Sequence, residues 1–381
     1  ANVALLSPPY SCLTYELPPE FPPEFWRPGL RLAVPLGRGG RGALRAAMLL
    51  AVSPTADLPD GVACKSVCWP LENAPLLPPD LLALFQDMAL RQGVEPGLIP
   101  GHLLPQGLRS TRVRLHRLEE GRATALSLRR IGQADAAERL ELARALCSGA
   151  ARMLAPGADA ASEEFCLLRA DPPWPVRPSA TRQIEVLEYL HEHGAVSRRH
   201  LLRSLGQAAA PALQSLLRAG HLALTREEAG EEEEQALLPP PSAPFSLNAD
   251  QQAALNDVRA ALDGDAPASR LLYGVTGSGK TAVYLELARE CLARGKSLLL
   301  LAPEVALAHK LRRDAACALP DAPLFFHHGY QSPARREATF RALAARREPC
   351  LVVGTRSALF LPVPRLGCVV LDEEHDASFK Q

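Results

Sequence analysis

The sequence predicts a multidomain fold in which a β-rich N-terminal part and a small helical module precede an α/β domain built on a parallel sheet. Three observations indicate it. Short apolar runs alternate with Gly and Pro over 1–110, glutamates and prolines interrupt the chain at 227–244, and apolar strand-like runs alternate with helical patterns over 245–381. With 381 residues, 47% of them hydrophobic, the chain can form several cores.

The composition limits the class of protein. The 42 basic and 42 acidic residues cancel, so any surface that attracts a polyanion must be local. No run of about 18 apolar residues occurs and the N-terminus lacks the order of a signal peptide, from which we expect a cytoplasmic protein with no membrane partner. Among nine cysteines only Cys64 and Cys68 lie close together, too few for four zinc ligands, so reduced thiols are the simpler interpretation.

The N-terminal 110 residues are typical of a small β module. The loop GRGGRG at 37–42 joins the apolar runs 30–35 and 44–52 and suits a hairpin. Arg38 and Arg41 lie in this loop, where a phosphate could reach them. A solvated turn explains the same residues equally well.

One helix and one basic segment follow the β module. A helix is expected from Asp80 to Gly93, and its apolar stripe comprises Leu81, Leu84, Phe85 and Met88. We interpret 111–178 as a basic segment and linker. Alternation in RVRLHR at 112–117 would place basic side chains on one face of a strand, either to bind a phosphate backbone or merely as a solvated face.

A second module is predicted over 179–226. Ile184, Leu187 and Leu190 line one side of a first helix, Ser197 can cap a second, and 210–219 forms a third. The third helix is stopped by Gly220, and the strand-like run HLALT follows it at 221–225. Three short helices with strands look like a winged helix, a fold that binds DNA or protein with similar ease. Six glutamates at 227–234 and the prolines behind them then predict an exposed linker over 227–244.

The strongest motif is a glycine-rich loop between a strand and a helix. Arg270–Tyr273 predicts a short strand, GVTGSGKT occupies 274–281, and a helical run follows. Lys280 would contact the β- and γ-phosphates of a nucleotide, and Thr281 would hold Mg²⁺. The loop residues expected to bind the nucleotide are Gly274, Val275, Thr276, Gly277, Ser278, Gly279, Lys280 and Thr281.

Three further strands carry polar residues at their carboxyl ends. The predicted strands 297–301, 350–353 and 366–371 lead into APEVAL, GTRSALF and DEEH. Asp372 would bind Mg²⁺ beside Thr281, directly or through water, and Glu373 would orient and deprotonate the attacking water. A helix cap is the alternative for this carboxylate pair. His375 either couples hydrolysis to DNA contacts or merely packs.

In this order the motifs resemble superfamily 2 helicases of the DEAH type, and among them the bacterial replication-restart helicases. GVTGSGKT, LAPEVAL, VVGTRSALFLP and VVLDEEHDASFKQ carry the resemblance over 245–381, and LNADQQ at 247–252 is similar to the family's adenine-contacting segment, with Gln251 at the glutamine position. The resemblance implies a RecA-like lobe here, and before it a β-rich domain that binds a 3′ DNA end and a winged helix.

The resemblance also implies a function. We expect a replication-restart protein that recognises stalled or branched forks, uses ATP and Mg²⁺, and promotes loading of the replicative helicase, in the manner of a 3′-to-5′ DNA helicase. Its partners would be branched and single-stranded DNA, primosome proteins and single-stranded DNA-binding protein. The residues expected to grip DNA are Pro303, Glu304, Thr355, Arg356 and Ser357, besides Arg38 and Arg41. An ion pair with an acid such as Glu304 is the alternative for Arg356.

The sequence departs from the family pattern at several positions. Thr14 stands where an acidic residue is usual, and Ala282, Ala308 and His309 differ from the usual Glu, Thr and Gln. The sequence ends at Gln381, before the family's zinc insertion and second lobe, so we expect no zinc in this chain and little hydrolysis by it alone. A non-enzymatic fork-binding scaffold with a vestigial motor, or a fragment of another superfamily 2 translocase, are the alternatives.

Overall fold

The protein is described here by a computed structural model. It divides into two compact units, one formed by 1–160 with 340–345 and the other by 161–339 with 346–381. In the part of the chain that it describes, no helix is both long and apolar enough to cross a bilayer. The described residues are 1–37, 43–54, 64–119, 122–154, 164–169, 172–193, 196–226, 247–264, 266–275 and 277–380.

The first unit begins with a six-stranded sheet of order β5-β2-β1-β4-β3-β6, antiparallel except for the parallel β2–β5 pair. Its strands are β1 (Asn2–Leu5), β2 (Cys12–Glu16), β3 (Arg31–Leu36), β4 (Ala43–Ala51), β5 (Lys65–Ser66) and β6 (Trp69–Pro70). β3 and β4 pair from Arg31 opposite Met48 to Leu36 opposite Ala43. The hairpin predicted across 37–42 is therefore confirmed.

Two helices, α1 (Pro79–Gln92) and α2 (Leu98–Leu103), follow this sheet. α1 ends at Gly93, whose φ of 63° is left-handed, as predicted. The predicted apolar stripe is wrong in part, because Leu84 is exposed. The buried face is rotated toward the sheet side of the helix and comprises Leu81, Leu82, Phe85 and Ala89.

A second sheet in the first unit replaces most of the linker expected over 111–178. Its elements are β7 (Arg114–Glu119), β8 (Arg122–Ser127), α3 (Leu128–Gln133), α4 (Ala136–Ser148) and β9 (Ala151–Leu154), with strand order β8-β7-β9. Leu115, Ile131 and Leu146 are buried, so this arginine-rich segment is folded around a core of its own apolar residues. The linker prediction was wrong here because it followed charge and overlooked these apolar positions.

Ion pairs neutralise several arginines of that basic segment. Arg117 pairs with Glu141 at 2.8 Å and Arg130 with Glu138 at 3.1 Å. Arg139 pairs with Glu20 at 2.5 Å. These pairs favour the solvated-face interpretation over a continuous phosphate-binding surface.

The second unit begins with a small helical module whose elements are β10 (Glu164–Leu168), α5 (Thr181–His193), β11 (Val196–Ser197), α6 (Arg198–Ser204), α7 (Ala210–Arg218) and β12 (Leu222–Arg226). The three strands form an antiparallel sheet of order β11-β10-β12. Leu187 and Leu190 of α5 pack with Leu213 and Leu216 of α7. The module begins at 164, not at 179 as predicted, because β10 supplies the central strand.

The remainder of the second unit is an α/β layer with a four-stranded parallel sheet of order β14-β15-β13-β16. Its elements are α8 (Ala249–Leu262), α9 (Lys280–Ala293), β13 (Ser297–Leu301), α10 (Val305–Ala318), β14 (Leu324–His327), α11 (Pro333–Ala345), β15 (Leu351–Gly354) and β16 (Leu366–Leu371). All five residues of β13 are buried, as a strand paired on both sides requires.

Two predictions about this sheet need correction. Arg270–Tyr273 is not a strand in the described structure, where Leu271 and Tyr273 are exposed and Arg270 pairs with Asp257. An apolar run forms a strand only where a sheet edge pairs with its backbone. β16 is parallel as predicted but not buried: among the described strands it pairs with β13 alone, and Leu366, Val369 and Leu371 are exposed.

A buried arginine joins the N-terminal sheet to Glu72, which follows β6, and to the segment after α2. Arg31 of β3 is fully buried and donates through Nε to Glu72 at 2.9 Å. Its Nη1 also donates to the carbonyl oxygens of Leu108 and Ser110. Because arginine keeps its charge at any ordinary pH, the guanidinium must keep its carboxylate partner.

We expect Glu72→Ala to lower the free energy of unfolding of the first unit by about 3–5 kcal/mol, since it leaves a buried charge without its counter-ion. Urea denaturation followed through the fluorescence of buried Trp26 and Trp69 measures it. The control is Asp87→Ala, which removes an exposed pair with Arg91 and should change stability by less than about 0.5 kcal/mol. Equal effects of the two variants would contradict the argument.

Candidate functional site

The predicted glycine-rich loop leads directly into α9. Gly277 and Gly279 have φ values of 82° and 83°, a left-handed conformation that only glycine adopts without steric cost. The amide of Ser278 donates to the carbonyl of Val275, which closes the turn. The N-terminus of a helix of 14 residues therefore lies directly behind the loop, where its free amides favour an anion.

Lys280 connects this loop to the end of β16. Its Nζ donates to the carbonyl oxygen of Gly274 at 2.9 Å and lies 3.7 Å from Oε1 of Glu373. The lysine and the acidic motif are some ninety positions apart in sequence, and the fold brings them into one pocket.

Asp372 occupies the same pocket. Its amide donates to the carbonyl of Leu301 at 2.8 Å, so β13 fixes its backbone. The hydroxyl of Tyr284 on α9 donates to its Oδ1 at 3.3 Å. Burial, and then the charge of Glu373, raise the pKa of Asp372, whereas the tyrosine hydrogen bond opposes that shift. The same burial raises the pKa of Tyr284, which keeps it a donor.

Glu373 has a strained backbone. Its φ of 51° lies in the left-handed region, which is uncommon for a residue with a side chain. This conformation turns its carboxylate toward Lys280 instead of along the strand. The exposed ring of His375 lies 3.8 Å from the second carboxylate oxygen. The alternative of a simple helix cap does not describe this geometry, since residues 372–375 form a turn.

Gln251 holds the opposite side of the loop. It forms a capping box with Asn248 at the start of α8, and its Nε2 donates to the carbonyl of Ser278 at 2.9 Å. A Cβ on Gly279 would lie 2.4 Å from that nitrogen and would displace the Gln251 amide, and the positive φ of Gly279 further disfavours any other residue there. An adenine contact by Gln251 stays a prediction.

The oxygen ligands of the pocket suit Mg²⁺. Thr281, the second residue of α9, presents a hydroxyl, and Asp372 presents a carboxylate. Mg²⁺ prefers such hard oxygen donors and commonly takes only one or two from protein, with phosphates and waters supplying the rest. Within the described ranges, no group of three or more His, Cys, Asp or Glu side chains is arranged to hold a metal.

The segments expected to grip DNA meet at the carboxyl edge of the same sheet. Arg356 donates through Nη1 to the carbonyl of Ser378 at 2.6 Å, and the hydroxyl of Ser378 donates to the carbonyl of Pro303 at 3.4 Å. Thr355 and Ser357 place their hydroxyl oxygens 3.5 Å apart. Glu304 immediately precedes α10. Ser378 thus links the two segments.

Three predicted site residues, Arg38, Arg41 and Thr276, lie outside the described residues. Two contacts were missed from the sequence, those of Tyr284 and Ser378. Tyr284 follows Lys280 by four positions, so helical spacing alone could have placed both on one face. No spacing rule connects Ser378 with Pro303 or Arg356.

Removing the Tyr284 hydroxyl tests the carboxylate environment. We expect Tyr284→Phe to move the pKa of Asp372 further upward, because the anion loses a hydrogen-bond donor and nothing else changes in volume. A ¹³C NMR titration of the carboxyl carbon measures the shift. Tyr273→Phe, at an exposed tyrosine, is the matched control and should leave the titration unchanged. An identical Asp372 titration in Tyr284→Phe and the parent chain would contradict the contact.

Two family models match separate parts of the chain. The DEAD/DEAH box helicase model matches 248–381, and the model of the PriA 3'DNA-binding domain matches 2–105. The first covers the loop and acidic motif, and the second covers the six-stranded sheet with α1 and α2.

Several curated relatives are named replication restart protein PriA. That of Synechocystis is 33% identical over 215 residues, which is 56% of this chain and 25% of the relative. That of Bacillus subtilis is 35% identical over 44% of this chain and 21% of its own length, and that of Helicobacter pylori J99 is 41% identical over 30% and 18%. The matched segment thus spans about a quarter or less of these relatives.

A solved structure, RecG bound to a three-way DNA junction, matches 40% of this chain and 24% of its own at 19% identity. Its TM-score of 0.30 is too low to support an argument. The family models and the named relatives agree with one another and with the motifs. In both matched parts, the chain is similar to the replication restart proteins named PriA.

Proposed function

We propose that this chain acts in replication restart, recognising branched DNA through its N-terminal domain and binding ATP with Mg²⁺ in the pocket formed by the glycine-rich loop and the end of β16. One observation carries the nucleotide part of this proposal. Lys280 lies 3.7 Å from Glu373, and Asp372 lies beside them under the hydroxyl of Tyr284. The cation and both carboxylates that phosphoryl transfer needs thereby meet.

Each group in the pocket has its own role in binding the nucleotide or in its hydrolysis. The loop amides and the N-terminus of α9 bind phosphate oxygens, and Lys280 contacts the β- and γ-phosphates. Thr281 and Asp372 would hold Mg²⁺, which when bound neutralises charge on the phosphates. Glu373, held near Lys280 by its left-handed backbone, orients and deprotonates the attacking water.

The carboxyl edge of the sheet is suited to a DNA strand of any sequence. Segments 302–304 and 355–357 offer backbone groups and hydroxyls, and Arg356 supplies the charge. Contacts of this kind bind the sugar-phosphate backbone and ignore base identity. They support the proposal of a translocating motor lobe related to 3′-to-5′ helicases.

The two smaller domains would determine which DNA structures the chain binds. The match of 2–105 to a 3'DNA-binding domain supports recognition of a free 3′ end at a fork. We assign the module 164–226 as a winged helix, because three helices pack on a three-stranded antiparallel sheet. From the similarity to these relatives, we also propose that the chain promotes loading of a replicative helicase. Its protein partners would be primosome proteins and single-stranded DNA-binding protein.

The nucleotide part predicts the effect of one substitution. Lys280→Ala should weaken Mg²⁺-dependent binding of a fluorescent ATP analogue by about 10- to 100-fold, the amount that loss of a charge-assisted hydrogen bond produces. Titration by fluorescence anisotropy measures it. Lys310→Ala, an exposed lysine on α10, is the control and should bind as the parent does. Equal binding by both variants would leave the alternative of a scaffold with a vestigial loop.

The fork part predicts discrimination between DNA ends. A fork with a free 3′ leading-strand end should bind more tightly than the same fork blocked at that end, with both titrated at one salt concentration because phosphate contacts are salt-dependent. Thr14 lies in β2 opposite Asn2, with its side chain exposed, at the position where the family usually has an acid. Equal affinities would reject end recognition and leave the ATP proposal intact.

A further inference from the structure

Two cysteines lie in contact between the helix and the strand that frame the pocket. Cys291 is in the last turn of α9, and Cys368 is the third residue of β16. The helix and strand approach each other to within 8 Å between Cα atoms. Cys291 is buried in a hydrophobic cluster, and Cys368 packs against that cluster. A hydrogen bond between the two thiols shifts the pKa of each, so the two side chains lie next to each other.

The two thiols differ in access. Cys291 is completely buried, whereas Cys368 is only partly covered, because β16 pairs on one side and lies at the described edge of the sheet. A small oxidant in solution therefore reaches Cys368 first. The hydrogen bond from Cys291 lowers the pKa of Cys368, and the same bond with burial raises the pKa of Cys291.

We propose that Cys291 and Cys368 form a reversible disulfide when the protein meets a hydroperoxide, which makes the pair an oxidative modification site beside the nucleotide pocket. The Cys368 thiolate attacks hydrogen peroxide, the O–O bond breaks, and a sulfenic acid and a hydroxide ion form. The hydroxide takes up the proton that the Cys368 thiol had released, which gives the first water. The Cys291 sulfur then attacks the Cys368 sulfur, loses its proton and releases a second water as the S–S bond forms. Two thiols and one peroxide give one disulfide and two waters.

The location of the bond gives it a consequence for the pocket. α9 begins at Lys280, about 16 Å along the helix from Cys291, and β16 ends just before Asp372, about 13 Å along the strand from Cys368. The disulfide would therefore tie the element that carries the lysine to the element that carries the carboxylates. It also closes a long loop of chain, which restricts the unfolded state and stabilises the lobe.

Peptide mapping after peroxide treatment of the full chain tests the proposal. The expected result is one linked pair of peptides containing Cys291 and Cys368, absent after dithiothreitol, together with a rise of about 5–10 °C in the melting midpoint of this lobe. Single variants Cys291→Ala and Cys368→Ala should lose both the link and the rise. Cys317→Ala, at another buried cysteine, is the matched control and should keep them.

The wild-type map decides the matter even if a variant folds poorly. Alkylation of both thiols after peroxide, or a Cys368 sulfenic acid that persists without reacting onward, would overturn the proposal. So would a linked pair that joins either cysteine to a different partner. The test does not depend on nucleotide or DNA binding, so it can fail while the proposed function stands.

Discussion

The contact between the Lys280 ammonium and the carboxylates at the end of β16 is the constraint on which the site depends. One positive charge meets Asp372 and Glu373, so the pocket holds a surplus of negative charge. The raised pKa of Asp372 is the direct expression of that surplus together with burial. A hard divalent cation suits a pocket with this imbalance, and the helix N-terminus behind the loop suits the phosphates that accompany it.

Parallel pairing explains why the pocket and the segments proposed to bind DNA share one edge of the sheet. β13 lies between β15 and β16, and the carboxyl ends of parallel strands reach the same side of a sheet. The amide of Ala302 donates to the carbonyl of Gly354, and the amide of Asp372 donates to that of Leu301. A displacement of Asp372 would therefore act on the start of the 302–304 segment through a single strand, which would connect the proposed nucleotide site to the proposed DNA contacts.

The sequence predicted strands well where it has continuous apolar runs, both in buried β13 and in partly exposed β16. β13 and β16 were located from uninterrupted apolar segments, and α9 from the loop before it. β10 and β14 were missed because each is short and contains a polar residue at one end. β10 begins with Glu164, and β14 ends with His327. The strand expected at 270–273 failed for the opposite reason: its residues are apolar, but pairing depends on a neighbour that local sequence does not specify.

The residues of the site were likewise predictable in part from the sequence. Residue types and their positions at strand ends indicated Lys280, Asp372 and Glu373, because the chemistry of triphosphates demands them. The left-handed backbone of Glu373 and the hydroxyl of Tyr284 over Asp372 depend on packing between α9 and β16. Since Lys280 and Tyr284 lie on one helix face, any movement of α9 displaces the cation and the hydroxyl together. The charge balance of the pocket is therefore set by the position of one helix against one strand.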